Sequence, residues 1–449
     1  MRYQPSGWAQ YKVEELFYSF SGGTPSKSKP EYWRGDIPWV SSGEFNSDVI
    51  NQGTEFITAA GLENSSAKLC RPGSVIVVVR SGILKHTLPV ALSGRELAIN
   101  QDIKAFDSGD EDLNRWLFLS LKNSAKEILG LNREGTTVQS VKYETLKEHQ
   151  LAIPPLNEQR RILTMLEKLS SRVNAAQERL ATIPRILKRF RQSVIDSSCA
   201  GTLTVDWRLK HNVEFQQLSG KLGSLARFID YRGKTPRKAN AGIPLITAKN
   251  IRPGYLSVEP REYIAENDYD AWMTRGFPNI GDVLITTEAP LGYVVHIDWT
   301  FKFALAQRVI CLQFDKDIVF GPYAALVLQS TQFQAGLRDR ATGTTVTGIK
   351  ASRLKELSIN FPSLDEQKEV VRRVDDLLKS ANALEARYVK AKRHVDKLTQ
   401  SILAKAFRGE LVPQDPNDEP ASVLLERVRQ QRNGTCDTKV RSTTKRRRR

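Results

Sequence analysis

The sequence predicts an α+β protein: two similar mixed α/β domains separated by two long helices that form an antiparallel coiled coil. Three observations predict this: an internal duplication at a period of 208 residues, β-branched runs punctuated by Gly and Pro, and two apolar seams at heptad spacing.

The duplication is plainest from Gly135, where the chain reads GTTVQSVKYETLKEHQLAIPPLNEQRRI. From Gly343 it reads GTTVTGIKASRLKELSINFPSLDEQKEV, identical at 12 of 28 positions without a gap. At the same offset PGSVIVV (from Pro72) aligns with IGDVLIT (from Ile280), and QSVIDSSCAGTL (from Gln192) with QSILAKAFRGEL (from Gln400). Small changes of offset pair SGGTPSK (Ser21) with RGKTPRK (Arg232), DIPWVSSGEF (Asp36) with AGIPLITAKNI (Ala241), and LAINQDIKAF (Leu97) with FALAQRVICLQF (Phe303). Solenoid repeats have periods of about 20–50 residues in several copies, so two copies at this longer period mean a duplicated domain with its connector.

Taken in order, residues 1–153 form the first α/β domain, with strand runs such as IPWV and SVIVVV and a helical stretch from Trp116. Residues 154–207 form the first coiled-coil helix. Its seam runs through Ile162, Leu166, Leu169, Val173, Ala176, Leu180, Ile183, Leu187, Phe190 and Val194. Pro184 inside it should introduce a kink. Residues 208–361 repeat the α/β domain, and residues 362–411 the helix, with a seam through Val370, Val374, Leu377, Ala381, Leu384, Tyr388, Ala391, Val395, Leu398 and Ile402. Two equal seams in one chain can satisfy each other, and antiparallel pairing places the two domains at opposite ends; the alternative is that each helix packs on its own domain. Asn157 and Asp365 read as helix caps, and Gly201 and Gly409 as matching stops. Residues 412–449 read as a basic, disordered tail.

Composition points to a polyanionic partner. The formal net charge is +17. Residues 427–449 hold ten Lys/Arg against one Asp, so +17 less +9 leaves +8 on the remaining body. Such a surplus attracts nucleic acid and releases its counterions. The longest purely apolar run in the first half, Val75–Val79, is far short of the roughly 20 residues of a membrane span. Met1 to Gln4 open no signal-peptide pattern, and a cytoplasmic protein is expected.

Candidate chemistry is sparse. The four cysteines stand far apart with no CxxC, and the five histidines are isolated, so neither a zinc site nor a His-based nucleophile is suggested. The GKT within RGKTP is not a phosphate-binding loop, because Phe228 stands where its first Gly is required and Pro236 follows the Thr. DEQK at Asp365 opens a helix and reads as a cap. No FxGxG loop and no NPPY or DPPY tetrapeptide of amino-methyltransferases occurs in either copy. The chain reads as a recognition protein and not an enzyme.

The order of a globular domain, GTT-x-x-x-(V/I)-K, IPPLNEQ and a heptad helix, then a second domain, GTTVTGIK, FPSLDEQ, a heptad helix and AFRGELVPQDP, closely resembles the specificity subunit of type I restriction–modification systems, HsdS. The resemblance spans residues from about 8 to 425. It implies that the α/β domains are target recognition domains, each reading half of a split asymmetric site in double-stranded DNA. It also implies assembly with two adenine-N6 methyltransferase subunits and, for restriction, two ATP-dependent translocase-nuclease subunits. No cofactor is then expected on this chain; AdoMet, ATP and Mg2+ belong to the partners. The predicted helix from Ile162 to Ser197 is ~54 Å long at 1.5 Å per residue, a rod able to hold two readers about one to one and a half DNA turns apart.

Phosphate contacts come mainly from Lys, Arg, Ser, Thr and backbone amides, and base edges are read by Arg, Lys, Asn, Gln and acids. Thr136, Thr137, Thr344 and Thr345 of the GTT stretches, with the basic turns Lys27, Lys29, Arg34, Lys234, Arg237 and Lys238, are the phosphate candidates. Turn formation before a helix accounts for the threonine pairs equally well. Arg80, Lys85 and His86 in the first copy and Lys249, Asn250 and Arg252 in the second are the base-reading candidates. Gln101 and Gln307 match each other and are expected to be buried and structural. The rival readings are a stand-alone coiled-coil DNA-binding or architectural protein and a nucleic-acid-modifying enzyme.

Overall fold

The β-branched runs become strands where the sequence places them, and their pairing builds one framework twice. The computed structural model describes residues 5–131, 140–231, 235–343, 347–423 and 425–426. It divides into two units, Met1–Glu178 with Lys392–Arg449, and Arg179–Ala391.

In the first unit β1 (Tyr18–Ser21), β2 (Trp33–Val40), β3 (Val75–Val78), β4 (Val90–Ser93), β5 (Leu97–Ile99) and β6 (Ile103–Asp107) position the ends that matter below. One sheet has the order β1-β6-β3-β4 with Val49–Ile50 at its edge. The other pairs β2 and β5 in parallel, Trp39 with Ala98 and Val40 with Ile99. Every residue of β3 is buried, the pattern of a strand covered on both faces. One covering layer is α1 (Glu111–Gly130), which starts where the Asp110 carboxylate accepts the Leu113 N–H at 2.8 Å and carries Glu111 and Asp112 in its first turn. It buries Leu113, Trp116, Leu117 and Leu121 in the core of Val75, Val77 and Phe106. Each such side chain contributes about 1.5–3 kcal/mol of burial.

The second unit repeats this order. Its strands are β7 (Ala226–Asp230), β8 (Ile243–Ile246), β9 (Val283–Thr287), β10 (Leu291–His296), β11 (Ala304–Leu305) and β12 (Val309–Phe314). The sheet order is β7-β12-β9-β10, matching β1-β6-β3-β4, and β8 pairs in parallel with β11 as β2 does with β5. The duplication is therefore one of topology as well as of words.

The two long helices are α2 (Leu156–Cys199, 44 residues) and α3 (Leu364–Ala406, 43 residues). Each begins one residue before the expected cap, so Asn157 and Asp365 lie inside the first turn. The first helical bonds run from Gln159 N–H to Pro155 O (2.8 Å) and from Gln367 N–H to Ser363 O (2.9 Å). Both run antiparallel within each unit. In the first, Ile402 and Leu403 pack against the core that holds Ile162, Leu163 and Leu166. In the second, Val194 shares a core with Val370 and Val374, while Arg191 donates to Asn382 Oδ1 (2.7 Å) and Glu385 Oε2 (2.6 Å). The alternative also holds in part, because the first turns of α2 belong to the core of their own domain. The chain stays helical through Pro184. Two seam positions depart from expectation: Phe190 and Leu384 are 39% and 53% exposed. A seam repeating every 3.5 residues drifts on a helix of 3.6 residues per turn, so not every heptad position keeps facing its partner.

Gly201 and Gly409 end the helices with φ of +70° and +69°, the left-handed backbone expected of such stops. The chain that follows each stop covers the start of the other helix. After Gly201, the Thr204 hydroxyl donates to Glu366 Oε1 at 2.6 Å and Asp206 pairs with Arg373 at 2.5 Å. After Gly409, Asp418 pairs with Arg161 at 2.7 Å and Ala421 N–H bonds Gly7 O at 3.0 Å. Ala421 and Leu425 are fully buried in the first unit's core, which corrects the reading of residues 412–449 as a disordered tail. Its first part is built into the fold, and residues 427–449 lie outside the described residues.

Candidate nucleic-acid interface

At one end of each parallel strand pair the chain turns sharply, and three other segments meet that turn. In the first unit the turn is Asn100-Gln101-Asp102, between β5 and β6. Gly23 N–H bonds Ile99 O at 3.0 Å, bringing in the Gly-Thr-Pro loop, and the Thr24 hydroxyl donates to Gln101 Oε1 at 2.6 Å. Val79 N–H bonds Asp102 O at 2.8 Å, which sets Arg80 beside the turn. Val141 N–H bonds Val79 O at 2.8 Å and Ser140 bridges Arg80, so the chain emerging from the GTT stretch arrives there too.

The second unit assembles the same parts. Ala306 N–H bonds Ile246 O (2.8 Å), Thr287 N–H bonds Arg308 O (2.9 Å) and Ile349 N–H bonds Thr287 O (3.0 Å). Gly348 bridges Glu288. A cleft of about 190 Å³ opens here, lined by Thr235, Lys238, Lys249, Gln307 and Arg308 among others.

The candidates distribute unevenly over this surface. Lys27 and Lys29 are exposed on the Gly-Thr-Pro loop; Lys27 pairs with Glu55 at 3.2 Å and Lys29 donates to the Tyr32 hydroxyl at 3.0 Å, a bond that raises the lysine's pKa. Arg34 is exposed with φ +62°, at an irregular point of β2. Arg80 stands at the turn, and Lys85 and His86 lie on the exposed loop that follows it. Lys104, half-buried on β6, has its pKa lowered by burial first and by Arg80 second. Lys238 pairs with Glu262 at 2.9 Å, and Lys249 is exposed beside it in the cleft. Arg237 is exposed and Arg252 half-buried on the short Ile251–Arg252 strand. Thr136, Thr137, Lys234, Thr344 and Thr345 lie outside the described residues.

Two expectations are corrected. Asn250 is 1% exposed, and its amide is spent on its own loop: Oδ1 accepts from Thr247 N (3.0 Å) and Thr247 Oγ1 (2.8 Å), and Nδ2 donates to Ser257 O (3.1 Å) and Pro260 O (3.0 Å). Reaching a base edge would break all four bonds, so it is a structural residue. Gln101 and Gln307, expected to be buried, are exposed and half-exposed at the centre of each assembly. Sequence reasoning missed Asp102, Glu288 and Arg308. The available signal was that the residue after each matched glutamine is charged, with opposite sign in the two copies.

Among the described residues no group of three or more His, Cys, Asp or Glu gathers as metal ligands would, and no helix is long and apolar enough to cross a membrane. The surface presents cations, hydroxyls and amides on turns held by rigid strands, which suits recognition of a polyanion.

A family model described as the type I restriction modification DNA specificity domain matches residues 5–185 and 220–391. The EcoBI specificity subunit of Escherichia coli is 27% identical over 357 residues, 74% of this chain and 75% of the relative. The MjaVIII specificity subunit of Methanocaldococcus jannaschii is 22% identical over 91% of this chain and 93% of the relative. The solved HsdS subunit from Thermoanaerobacter tengcongensis is similar in fold, with a TM-score of 0.59 at 18% identity, covering 91% of this chain and 98% of that one. A chain from a structure concerning assembly and conformational transition of the type I R-M system gives a TM-score of 0.66 at 20% identity, covering 91% and 100%.

Proposed function

The chain belongs to the type I restriction-modification DNA specificity family, and from that premise we propose that it is the non-catalytic subunit that reads a bipartite, asymmetric DNA site for a type I complex. Each α/β domain reads its own half-site through the turn assembly at its sheet end. Two methyltransferase subunits dock on the duplicated scaffold and, with AdoMet, methylate adenine at N6. Where a restriction subunit exists, it brings the ATP- and Mg2+-dependent chemistry.

The observation that supports this best is the assembly at the Gln turns. The same backbone bonds recur in both units, Val79 to Asp102 and Thr287 to Arg308, while the charges mounted on them differ. A constant frame with variable polar side chains suits two readers of different sequences. A duplicated frame also offers each docking surface twice.

The test is to exchange residues 208–361 for the equivalent domain of a relative, express the chain with its methyltransferase, and sequence genomic N6-methyladenine. One half of the methylated motif should change and the other stay. Changes in both halves, or robust methylation by the isolated chain, would contradict the proposal.

A further inference from the structure

The two turn assemblies carry an ion pair at equivalent positions with its charges inverted. In the first unit Arg80 Nε lies 3.9 Å from Asp102 Oδ1. In the second, Arg308 Nε lies 2.7 Å from Glu288 Oε1. The equivalence comes from the backbone. Val79 and Thr287, one residue before Arg80 and Glu288, each donate an N–H to the carbonyl of the pair's other member. Ser140 and Gly348 bridge the corresponding partners, 208 residues apart like Arg80 and Glu288. Arginine on the strand end with an acid after the glutamine has become an acid on the strand end with arginine after the glutamine.

A purely stabilising role fits poorly. The arginine side chains are 65% and 52% exposed, and an ion pair in such surroundings contributes little. Arg308 is moreover held at φ +77°. A non-glycine residue in left-handed backbone costs more than an exposed pair returns, and strain of this kind collects at functional positions. In both units the ion pair is formed at Nε, at 3.9 Å from Asp102 Oδ1 and 2.7 Å from Glu288 Oε1. Among the described residues, neither terminal guanidinium nitrogen of Arg80 or Arg308 has a hydrogen bond, and with side chains 65% and 52% exposed the two-pronged end is open to a ligand. That end matches the O6 and N7 acceptors of a guanine in the major groove.

We propose that the Arg80–Asp102 and Arg308–Glu288 pairs are the corresponding base-reading elements of the two domains. In each, the acid aims an arginine at a guanine of that domain's half-site. This rests on the reading of the chain as a DNA specificity subunit. The inversion places the guanidinium on a different segment of the same frame, one way for two copies of one scaffold to require guanine at different places.

The test uses the full chain with its methyltransferase, reading the methylated motif by genome sequencing and duplex affinity by titration. Arg80→Ala should relax one position of one half-site, with discrimination there falling about ten- to hundredfold. Arg308→Ala should do the same in the other half only. Arg80→Lys and Arg308→Lys keep charge and fold but lose the two-pronged geometry, and should relax the same positions. The double swap Arg80→Asp with Asp102→Arg keeps an ion pair but moves the guanidinium, and should alter the first half-site. Unchanged motifs with affinity lowered equally on all duplexes would overturn the proposal in favour of phosphate contacts. A silent double swap would overturn it in favour of a structural pair. A wild-type complex with no two-part motif would instead overturn the reading of the chain on which the proposal rests.

Discussion

Glu158 and Glu366 occupy the same place in the repeated L(N/D)EQ segment, each 1% exposed, yet replacing them should have very unequal consequences. Glu366 accepts the Thr204 hydroxyl at 2.6 Å and pairs with Arg208. The Arg208 side chain is only 11% exposed and cannot follow its charge into water. It is pinned by Gly201 O at 2.8 Å, Thr204 Oγ1 at 3.0 Å and the Phe215 ring at 4.6 Å. Glu366→Ala therefore strands a buried guanidinium, which costs about 3–5 kcal/mol. Replacing both partners by apolar residues, Arg208→Met with Glu366→Leu, should recover most of that loss. Among the described residues, Glu158 has one side-chain hydrogen-bond partner, Trp8 Nε1 at 3.1 Å, and its Oε1 accepts no hydrogen bond. Burial pushes its carboxyl up, so folding favours the neutral form and ionisation costs stability as pH rises. Glu158→Gln keeps an acceptor for Trp8 and should change stability by under about 1 kcal/mol at pH 7. Relative to the wild type, that variant should gain as pH rises above 4.5. Urea unfolding, with hydrogen exchange across residues 200–212 to isolate the second unit, measures both. A Glu366→Ala loss below about 1 kcal/mol, or no larger than that of Glu158→Gln, would refute the reasoning.

Two further outcomes are expected. Glu369 is held at about 2, first by the hydrogen bond from Arg372, so its contribution is present above its ordinary 4.5 and lost as pH falls toward 2; Glu369→Gln should lower neutral stability and flatten the acid limb of a pH titration of Tm. Ending the chain at Glu426 removes ten cations and one acid, and should weaken binding to all duplexes alike and reduce the slope of log K against log salt, leaving the methylated motif unchanged.

Much of this protein is written in short-range pattern. Heptad spacing announces two helices because side-chain direction along a helix depends only on the local backbone, and the observed 44 and 43 residues contain the seams. Gly201 and Gly409 were legible as stops because left-handed backbone is a property of one residue. The repeated segments disclosed a shared topology, and with it a family, because both copies must fold by the same pairing. The matched turns lie at corresponding ends of the two domains, as their repetition in the sequence requires.

Exposure at the turns was not legible, and the reason is the sheet. Gln101 and Asn250 both follow apolar strands, and nothing near either says which is covered. The parallel pairing of β2 with β5, residues some 59 positions apart by the Trp39–Ala98 register, leaves Gln101 in the open, while Asn250 is enclosed by the chain through Pro260. The ion pairs depend on the same long-range approach, since Arg80 meets Asp102, and Glu288 meets Arg308, only once β3 and β9 are laid against β6 and β12. Nor could periodicity assign residues 412–426, whose few apolar side chains have no repeat. Ala421 and Leu425 are buried because the antiparallel helices return the chain to Gly7 and Trp8. The sequence by itself determined the elements, their duplication and the chain's own positive charge, all of which follow from local backbone preference and composition. Tertiary structure alone decided which polar groups face outward and which are spent inside, because that depends on segments meeting from far along the chain.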